Sequence, residues 1–207
     1  MARLNDIVDY CNDLLQADAF ADFCPNGLQL EGRQQVDTLL SGVTASRALI
    51  ERAIEERADA ILVHHGLFWK GEDARLTGMK FRRLKALIEN GIGLIAYHLP
   101  LDAHPRVGNN AQLALRFGLE QFSVLGEGEA KNLFFHAELP KPLSGDELAR
   151  QIERSLNRPP LHIDGGPALI RKIGWCTGAA QSFIDQAATL GLDAYISGEV
   201  SEQTTHA

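Results

Sequence analysis

The sequence predicts an α/β protein of two similar lobes, and three observations support this class. Short apolar runs that end in polar residues alternate with stretches of helical periodicity, which is typical of strand–helix–strand units in parallel sheets. Residues 40–66 align with residues 174–200 at a constant offset. The chain has 207 residues, 45% of them hydrophobic, which is enough for two small lobes or one large domain. We expect a first lobe over residues 1–125 and a second over residues 126–207.

The first lobe opens with an amphipathic helix and a polar loop. Six apolar residues recur at helical spacing and predict a helix with one buried face; they are Leu4, Ile7, Val8, Cys11, Leu14 and Leu15. Residues 22–31 form a predicted loop, because Pro25 and the pair Asn26-Gly27 interrupt them. We interpret Asn26-Gly27 as a turn and not as part of a catalytic site.

A strand–helix–strand unit of the parallel-sheet type follows this loop. Its pattern predicts a strand over residues 38–43, a helix over 46–57 and a second strand over 60–63. Ser46 is suited to cap the N-terminus of the helix.

The second strand of this unit runs into His64, His65 and Gly66. Neighbouring side chains on an extended strand point to opposite faces, so both imidazoles can reach one crevice only where the strand ends. Gly66 permits a φ that other residues avoid, and ligands of open α/β sheets bind at this edge. The alternative is one buried core histidine beside one loop histidine. We favour metal ligation, because imidazole is the commonest protein ligand for metals.

Another predicted strand, over residues 94–97, ends in a second group of candidate ligands. Asp102 is the strongest of these, because a carboxylate supplies the negative charge that a divalent cation beside two imidazoles needs. The alternative is an aspartate that bonds its own backbone in a turn. Three roles stay open for His98 and for His104: a donor that orients a ligand, an acid–base group, or an ordinary loop histidine.

The predicted second lobe begins with a stretch whose sequence pattern differs from that of the first lobe. A strand over residues 134–139 and a helix over 144–157, capped by Ser144, are predicted. The Gly-Glu-Gly-Glu run at residues 126–129 is not a phosphate loop, because its two carboxylates would repel phosphate.

The two halves of the chain repeat one strand–loop–helix–strand pattern. In the alignment the Asp-Ala step at residue 59 meets that at residue 193, and His64-His65 meets Gly198-Glu199. Coincidence is the alternative, but the equal loop and helix lengths favour duplication. Two such lobes could place their strand ends against each other, with a metal site in the cleft between them. After a helix over residues 199–206 the second copy has no counterpart of the strand before Asp102. We therefore expect an incomplete second lobe, from a fragment or from a lost or substituted C-terminus.

Charge and cysteine usage argue against several classes of protein. The formal net charge of −7 argues against nucleic acid as a partner. Cys11, Cys24 and Cys176 are odd in number and widely spaced, which fits a reducing cytoplasm and argues against a thiolate zinc site. No run approaches the roughly 18 apolar residues of a membrane span, and the N-terminus lacks the apolar core of a signal peptide. We expect a cytoplasmic protein with no membrane partner.

Four groups of residues together give the chain a resemblance to a known family. They are Asn26-Gly27-Leu28-Gln29; His64-His65-Gly66 with Phe68-Trp69; Tyr97-His98-Leu99-Pro100-Leu101-Asp102-Ala103 with Gly108-Asn109-Asn110; and Ser197-Gly198-Glu199. Over essentially its whole length the chain resembles the GTP cyclohydrolase I type 2 homologues, which are Nif-three-like proteins with a dinuclear metal centre. The resemblance implies two α/β lobes, two divalent metal ions in the cleft between them and a toroidal homohexamer. It assigns metal ligation to His64, His65 and Asp102.

The chain departs from this family in one respect. The resemblance implies two further ligands from a C-terminal Gly-His-x-x-x-Glu segment, whose Glu bridges both metals, and no such segment occurs before Ala207. His206 does not replace that histidine, because it lies too close behind Glu199 and no Glu follows it. The sequence thus offers three ligands for two metals.

The chemistry expected from these residues is metal-assisted hydrolysis. Histidine and carboxylate ligands suit zinc, iron, manganese or cobalt. Two such ions about 3.5–4 Å apart activate a water molecule and hold both the attacking and the leaving oxygen. We expect His98 to act as a proton shuttle or orienting group and Glu199 as an acid–base or orienting group. The family name points to a nucleotide substrate, although a phosphoester or a small cyclic amide would fit the same metals.

A competing hypothesis is a non-catalytic metal-binding protein with a regulatory or scaffold role. Its metals would be structural, and its ring-shaped homo-oligomer would be the working form. Both hypotheses use the same ligands, so the sequence does not separate them.

Overall fold

The computed structural model describes residues 1–126 and 132–206 and shows a mixed α/β chain, as predicted. The chain divides into two compact units, Met1–Leu101 and Asp102–Ala207. The lobes over residues 1–125 and 126–207 were expected from the sequence repeat and stay a prediction. Most of the acidic run at 126–129 lies outside the described residues, so its interpretation stays a prediction too. None of the helices in the described ranges is long and apolar enough to cross a bilayer.

The first unit begins with the expected amphipathic helix. Its elements in chain order are β1 (Ala2–Arg3), α1 (Leu4–Leu15), β2 (Gly27–Leu30), β3 (Gln35–Val36), β4 (Leu39–Thr44), α2 (Arg47–Glu55), β5 (Ala60–His65), α3 (Gly78–Asn90) and β6 (Gly93–Ala96). Helix α1 buries Leu4, Val8 and Leu15. Ser46 caps α2 as expected, since its hydroxyl accepts the Leu49 N–H at 3.2 Å.

The main sheet of this unit has the strand order β2-β6-β5-β4. Strands β4, β5 and β6 are parallel, and β2 is antiparallel to β6. The two strand–helix–strand crossovers bury apolar side chains such as Ile50, Ile61 and Leu87, which are at most 2% exposed. Because Val63 of β5 pairs with Ala96 of β6, the carboxyl ends of the two strands lie side by side.

Two expectations for this sheet are wrong. Residues 22–31 are not a continuous loop, because Gly27–Leu30 pairs as strand β2 at the edge of the sheet and packs Leu28 and Leu30 against the core. Strand β5 does not stop at Val63, because the parallel pairing continues as far as His65, which lies opposite Thr44 of β4. Both corrections come from strand pairing, which local composition does not reveal.

The second unit follows a short helix at its boundary. The elements are α4 (Leu99–Ala103), α5 (Asn109–Arg116), β7 (Ser123–Leu125), β8 (Phe134–Leu143), α6 (Gly145–Leu156), β9 (Ile170–Cys176), α7 (Ile184–Thr189), β10 (Ala194–Ser197) and α8 (Glu202–Thr205). The sheet order is β10-β9-β8-β7, with β9 and β10 parallel and the other pairs antiparallel. Ser144 caps α6 as expected, within a capping box with Glu147. The helix expected from residue 199 begins only at Glu202, because Ser201 takes the N-cap position.

The parallel strand pairs of the two units share one register. In the first unit Leu39 lies opposite Ala60, and in the second unit Ile173 lies opposite Ala194. Both residues of the second pair come 134 positions after those of the first, which is the offset of the sequence alignment. The common register supports the internal repeat for these strand–helix–strand pieces.

One aspartate fixes the start of each parallel pair. Asp59 and Asp193 each precede the second strand of the pair, and each carboxylate accepts two backbone N–H groups from the start of the first strand. For Asp59 the donors are Asp37 and Thr38, at 2.9 and 3.1 Å, and for Asp193 they are Arg171 and Lys172, at 2.8 and 2.9 Å. We call each aspartate with its two backbone donors an aspartate clamp, and the two clamps are again 134 positions apart.

Candidate metal centre

Three histidines lie together at the carboxyl ends of β5 and β6. His64 and His65 are the last residues of β5, and His98 follows β6 after one intervening residue. The ring centroids of His64 and His65 are 4.5 Å apart, and His98 lies 4.9 Å from the first and 5.6 Å from the second. One ring nitrogen of each histidine lies within 4.8 Å of one nitrogen of each of the others. This histidine cluster has the dimensions of a cation site.

Hydrogen bonds fix the tautomer of two rings in the histidine cluster. Nδ1 of His64 lies 3.0 Å from the carbonyl oxygen of Tyr97, and Nδ1 of His98 lies 2.7 Å from Oδ1 of Asp22. Carbonyl and carboxylate oxygens only accept hydrogen bonds, so Nδ1 carries the proton in both rings. Nε2 then carries the lone pair of the neutral ring. Metal-ligating histidines have this arrangement, with the other nitrogen donating to a carbonyl or carboxylate.

Asp22 is the buried carboxylate that holds His98. Its side chain is 2% exposed. Besides the His98 ring, it accepts the Asn26 side-chain amide at 2.9 Å and the Leu99 N–H at 2.8 Å. Burial by itself would raise the pKa of Asp22, but these hydrogen bonds outweigh it and hold the pKa below its ordinary value. Asp22 is therefore an ionised acceptor.

His65 and Trp69 complete the surroundings of the histidine cluster. Nδ1 of His65 lies 3.2 Å from the hydroxyl oxygen of Thr44. The ring system of Trp69 lies 5.8 Å from that of His65 and 5.2 Å from that of His98, edge-on to the latter. The Lys70 N–H, next to Trp69, donates to the carbonyl of Phe23 at 2.7 Å. This bond ties the loop after β5 to the loop that carries Asp22.

Gly66 is required for a reason other than the one expected from the sequence. Its φ does not lie in the left-handed region, so the expectation of an unusual backbone angle is wrong. A Cβ at this position would instead overlap with Oε1 of Gln29. That side chain accepts the Leu67 N–H at 3.0 Å and donates to the Pro25 carbonyl at 2.8 Å. Gly66 thus leaves room for a side chain that joins the loops on both sides of the histidine cluster.

Asp102, the candidate carboxylate ligand, belongs to the second unit and lies in α4. It is 7% exposed. Its Oδ1 accepts the side-chain amide of Asn109 at 2.7 Å and the hydroxyl of Thr177 at 3.3 Å, and its carbonyl accepts the side-chain amide of Asn110 at 3.2 Å. These partners join α4 to α5 and to the loop after β9, so the carboxylate does more than close a turn. Its role as a ligand stays a prediction.

Two other candidate residues have local surroundings of their own. Nδ1 of His104 accepts the N–H groups of Arg106 and Val107 at 3.2 and 3.1 Å, which favours its interpretation as a loop histidine. Glu199 is exposed after β10, and the hydroxyl of Ser197 donates to its backbone carbonyl. The catalytic roles expected for Glu199 and His98 stay predictions.

The donor set of the histidine cluster fits a divalent transition-metal ion. Neutral imidazoles suit zinc, iron, manganese and cobalt alike, so the donor type does not choose among them. Asp22, Cys24 and His98 form a second group of ligand-type atoms within 4.8 Å of one another. Burial, followed by the charge of Asp22, raises the pKa of Cys24 to about 12. In the absence of a metal, the thiolate form of Cys24, which is the form that binds metals, is therefore disfavoured.

The sequence did not point to the residues that hold the histidine cluster. These are Asp22, Asn26, Gln29, Thr44 and the carbonyl group of Tyr97. The interpretation of Asn26 as a turn residue alone is wrong, because Oδ1 of Asn26 also accepts the His98 N–H at 2.8 Å. Asp22 lies 76 positions before His98, and no spacing in the sequence connects them.

The sequence of this chain matches one known family along nearly all its length. The model of Duf34/NIF3 (NGG1p interacting factor 3) matches residues 2–207. The chain belongs to the Duf34/NIF3 family. A relative from Pseudomonas aeruginosa, named GTP cyclohydrolase 1 type 2 homolog, is 51% identical over 203 residues, which cover 98% of this chain and 80% of the relative. A relative of the same name from Escherichia coli is 52% identical over 196 residues, covering 94% of this chain and 77% of the relative. The resemblance inferred from the four groups of residues is confirmed.

Solved structures share the fold of this Duf34/NIF3 chain. A structure described as protein ybgI, of unknown function, superposes with a TM-score of 0.91 at 49% identity and covers 99% of this chain and 81% of that chain. TTHA1606 from Thermus thermophilus superposes with a TM-score of 0.82 at 31% identity, with the same coverage of 99% and 81%. The α/β fold described above is therefore shared with relatives of known structure.

Proposed function

We propose that this Duf34/NIF3 protein is a metal-dependent hydrolase that acts on a nucleotide or a related small molecule. The observation that carries the proposal is the histidine cluster, two of whose rings are hydrogen-bonded in the tautomer of a metal ligand. In this tautomer the ring nitrogen that does not donate a hydrogen bond is the one that can bind a cation.

The proposed ligands are His64, His65 and Asp102, and the proposed cofactors are two divalent ions per chain. The burial of Asp102 supports its role, because a buried carboxylate is stabilised by a cation. We further propose that His98 and Glu199 serve the reaction beside these ligands.

Divalent ions bound in such a centre would polarise the substrate and lower the pKa of a water molecule. The chain itself contributes rigidity, because Tyr97, Thr44 and Asp22 each hold one imidazole through its Nδ1 atom. Trp69 contributes an apolar surface beside two of the rings. Glu199 is exposed, so it can exchange protons with solvent.

The name that the relatives carry makes GTP the first substrate to test. Opening of the purine ring is the corresponding reaction, and phosphodiesters and small cyclic amides are the next classes. The proposal is tested by assaying the metal-loaded protein with all three. We expect hydrolysis of at least one substrate, and a loss of about 100-fold or more in His64→Ala and in Asp102→Ala, because each removes a metal ligand.

The matched control for this assay is His162→Ala, which removes a histidine of the second unit that lies outside the histidine cluster. Its activity should equal that of the unchanged protein. Absence of turnover across the whole panel, with the metal sites saturated, would contradict the hydrolase proposal.

The second candidate function is the non-catalytic metal-binding scaffold, assembled as a ring-shaped homohexamer. Exposed apolar side chains in the first unit support self-association, among them Val43 at 70%, Ile88 at 61% and Met79 at 59% exposure. Light scattering measures the mass of the assembly. A hexamer with full metal occupancy and no turnover favours the scaffold, whereas a monomer at working concentration contradicts it.

A cytoplasmic location without a nucleic-acid partner completes the proposal. The formal net charge of −7 supports the absence of a nucleic-acid partner, because phosphate backbones attract basic surfaces. Salt-dependent binding to DNA or RNA would contradict the absence of a nucleic-acid partner.

A further inference from the structure

The role of His98 can be assigned more closely from the contacts around it. We infer that His98 is a third nitrogen ligand of the metal centre and that Asp22 is a positioning residue that holds its ring in place. This inference rests on the proposed metal-dependent function and adds one ligand to the set of His64, His65 and Asp102. Proton transfer is then left to Glu199 or to the substrate itself.

His98 is as close to the paired histidines as they are to each other, to within about 1 Å. The His98 ring lies 4.9 Å from that of His64, close to the 4.5 Å that separates His64 from His65. A ring nitrogen of His98 is within 4.8 Å of a ring nitrogen of each of the other two. A cation held by His64 and His65 is therefore within reach of His98 as well.

His98 is held in one orientation by hydrogen bonds. The loop that carries Asp22 fixes both its ring and its backbone, since Asp22 accepts Nδ1–H and Asn26 accepts the backbone N–H. The next residue, Leu99, donates its own N–H to the other oxygen of Asp22. Ring rotation would break the 2.7 Å bond to the carboxylate. The nitrogen that carries the lone pair, Nε2, consequently keeps one direction.

The buried carboxylate of Asp22 also favours a cation on the far side of the His98 ring. The side chain of Asp22 is 2% exposed, and its ion-pair partner in the described part of the chain is His98, whose Nδ1 lies 2.7 Å from Oδ1. An ionised group in the interior is costly unless a positive charge lies near it. A dication on Nε2 would withdraw electrons from the imidazole and strengthen the Nδ1–H bond to Asp22. If the loop that carries Asp22 were only attached to α4 for structural reasons, the hydrogen bonds from the Leu99 N–H to Asp22 and from the His98 N–H to Asn26 would be sufficient. An imidazole between the Asp22 carboxylate and the other two histidines would not be needed.

The test measures cobalt binding, which does not depend on activity. Protein stripped of metal is titrated with Co²⁺, and visible absorption reports both the affinity and the ligand set. We expect Asp22→Asn to weaken Co²⁺ binding by about 10- to 100-fold, the usual effect of removing a group that orients a ligand. His98→Gln, whose amide can still donate to Asp22, should weaken it at least as much and change the absorption spectrum, because a nitrogen ligand is lost.

A double variant shows whether Asp22 acts through His98. If it does, Asp22→Asn combined with His98→Gln binds Co²⁺ no more weakly than His98→Gln alone. The matched control is Asp18→Asn, an exposed aspartate in the preceding turn, which should leave affinity and spectrum unchanged. Thermal unfolding of the metal-free proteins confirms that the compared variants are folded. Should Asp22→Asn not fold, His98→Gln alone decides, because it keeps a donor for the buried carboxylate.

The outcomes separate this inference from the proposed function. Suppose that His64→Ala abolishes Co²⁺ binding but His98→Gln changes neither the affinity nor the spectrum. That result overturns the inference that His98 is a ligand and leaves the proposed metal centre intact. If Asp22→Asn weakens Co²⁺ binding as much in the His98→Gln protein as in the unchanged protein, Asp22 does not act through His98 and its positioning role is overturned. A folded, unchanged protein that binds no Co²⁺ contradicts both the inference and the proposed metal centre.

Discussion

The rings of the histidine cluster are held by three different acceptors or donors. A backbone carbonyl holds His64, a hydroxyl lies beside His65, and a carboxylate holds His98. A charged partner makes a stronger hydrogen bond than a neutral one, and the bond to His98 is also the shortest of the three. Mutation can therefore release His98 through Asp22 and His65 through Thr44. The carbonyl group that holds His64 is independent of side-chain identity.

We predict that Gly66→Ala destabilises the protein through Gln29. The added Cβ would displace the end of the Gln29 side chain, which then loses its bonds to the Leu67 N–H and the Pro25 carbonyl. The expected loss in unfolding free energy is about 1–3 kcal/mol, the cost of leaving such groups without good partners. Urea denaturation measures it.

Two further variants make this prediction specific. In a Gln29→Ala background Gly66→Ala should cost much less, because the side chain that it displaces is absent. Gly165→Ala is the control, since nothing lies within 4 Å of a Cβ added there. If Gly66→Ala lowers the unfolding free energy equally with and without the Gln29 side chain, displacement of Gln29 is not the cause of the loss.

Adjacent histidines followed by glycine were sufficient to predict a cluster at a strand end, and the contact of His64 with His65 bears this out. Their supporting residues could not be predicted in the same way. Asp22 and Thr44 reach the cluster through tertiary contacts across 76 and 21 positions, and Gln29 reaches the nearby Leu67 across 38. Such contacts depend on which strands become neighbours, and that information is not local.

At the scale of the elements, the strand pairs β4–β5 and β9–β10 depend on their aspartate clamps. Backbone donors stabilise the ionised form of Asp193 and lower its pKa. Burial acts against this effect at Asp59, but the N–H groups of Asp37 and Thr38 together with Arg33 outweigh it, so the pKa of Asp59 is lowered as well. A carboxylate whose pKa is lower in the folded state stabilises the fold wherever it is ionised.

We predict that Asp59→Asn and Asp193→Asn each lower the unfolding free energy by about 1–3 kcal/mol at pH 7, because a neutral amide oxygen accepts the two backbone N–H groups more weakly than a carboxylate does. The difference from the unchanged protein should be fully present above the unfolded pKa of about 3.9. It should disappear as the pH falls through the lower folded-state pKa, where the native carboxylates become protonated.

Urea denaturation at a series of pH values tests this dependence. The control is Asp164→Asn, which changes an exposed aspartate in the loop before β9. A deficit of the Asp59→Asn and Asp193→Asn proteins that is independent of pH would contradict the role of the charge. A deficit in only one of the two variants would contradict the equivalence of the two clamps.

The sequence predicted the elements in which apolar residues recur at a regular spacing. Helix α1 and the β4–α2–β5 unit occur where the apolar spacing placed them. Strand β2 was missed, because Pro25 and Gly27 give its surroundings the composition of a loop, and its pairing with β6 is antiparallel at the sheet edge. The extension of β5 to His65 was missed for a related reason, because the backbone of polar residues at a strand end forms the same strand pairing as the backbone of apolar residues.

At the scale of the whole molecule, metal binding should be linked to stability. A cation that binds the folded chain and not the unfolded one stabilises it by about 2.7 kcal/mol at a concentration one hundred times its dissociation constant. We predict that adding Zn²⁺ or Co²⁺ to metal-free protein raises the melting temperature. The double variant His64→Ala with His65→Ala should show no such rise.

Differential scanning calorimetry with and without metal checks this linkage. His162→Ala again serves as the control, because it removes a histidine outside the cluster. An equal rise in the double variant would place the stabilising cation elsewhere in the protein.

The most direct test of the metal centre is anomalous X-ray diffraction from crystals of the metal-free protein soaked with zinc. We predict an anomalous peak about 2.0–2.1 Å from Nε2 of His64 or His65, the usual length of a zinc–imidazole bond. Full zinc loading with no peak within bonding distance of either histidine would contradict the account.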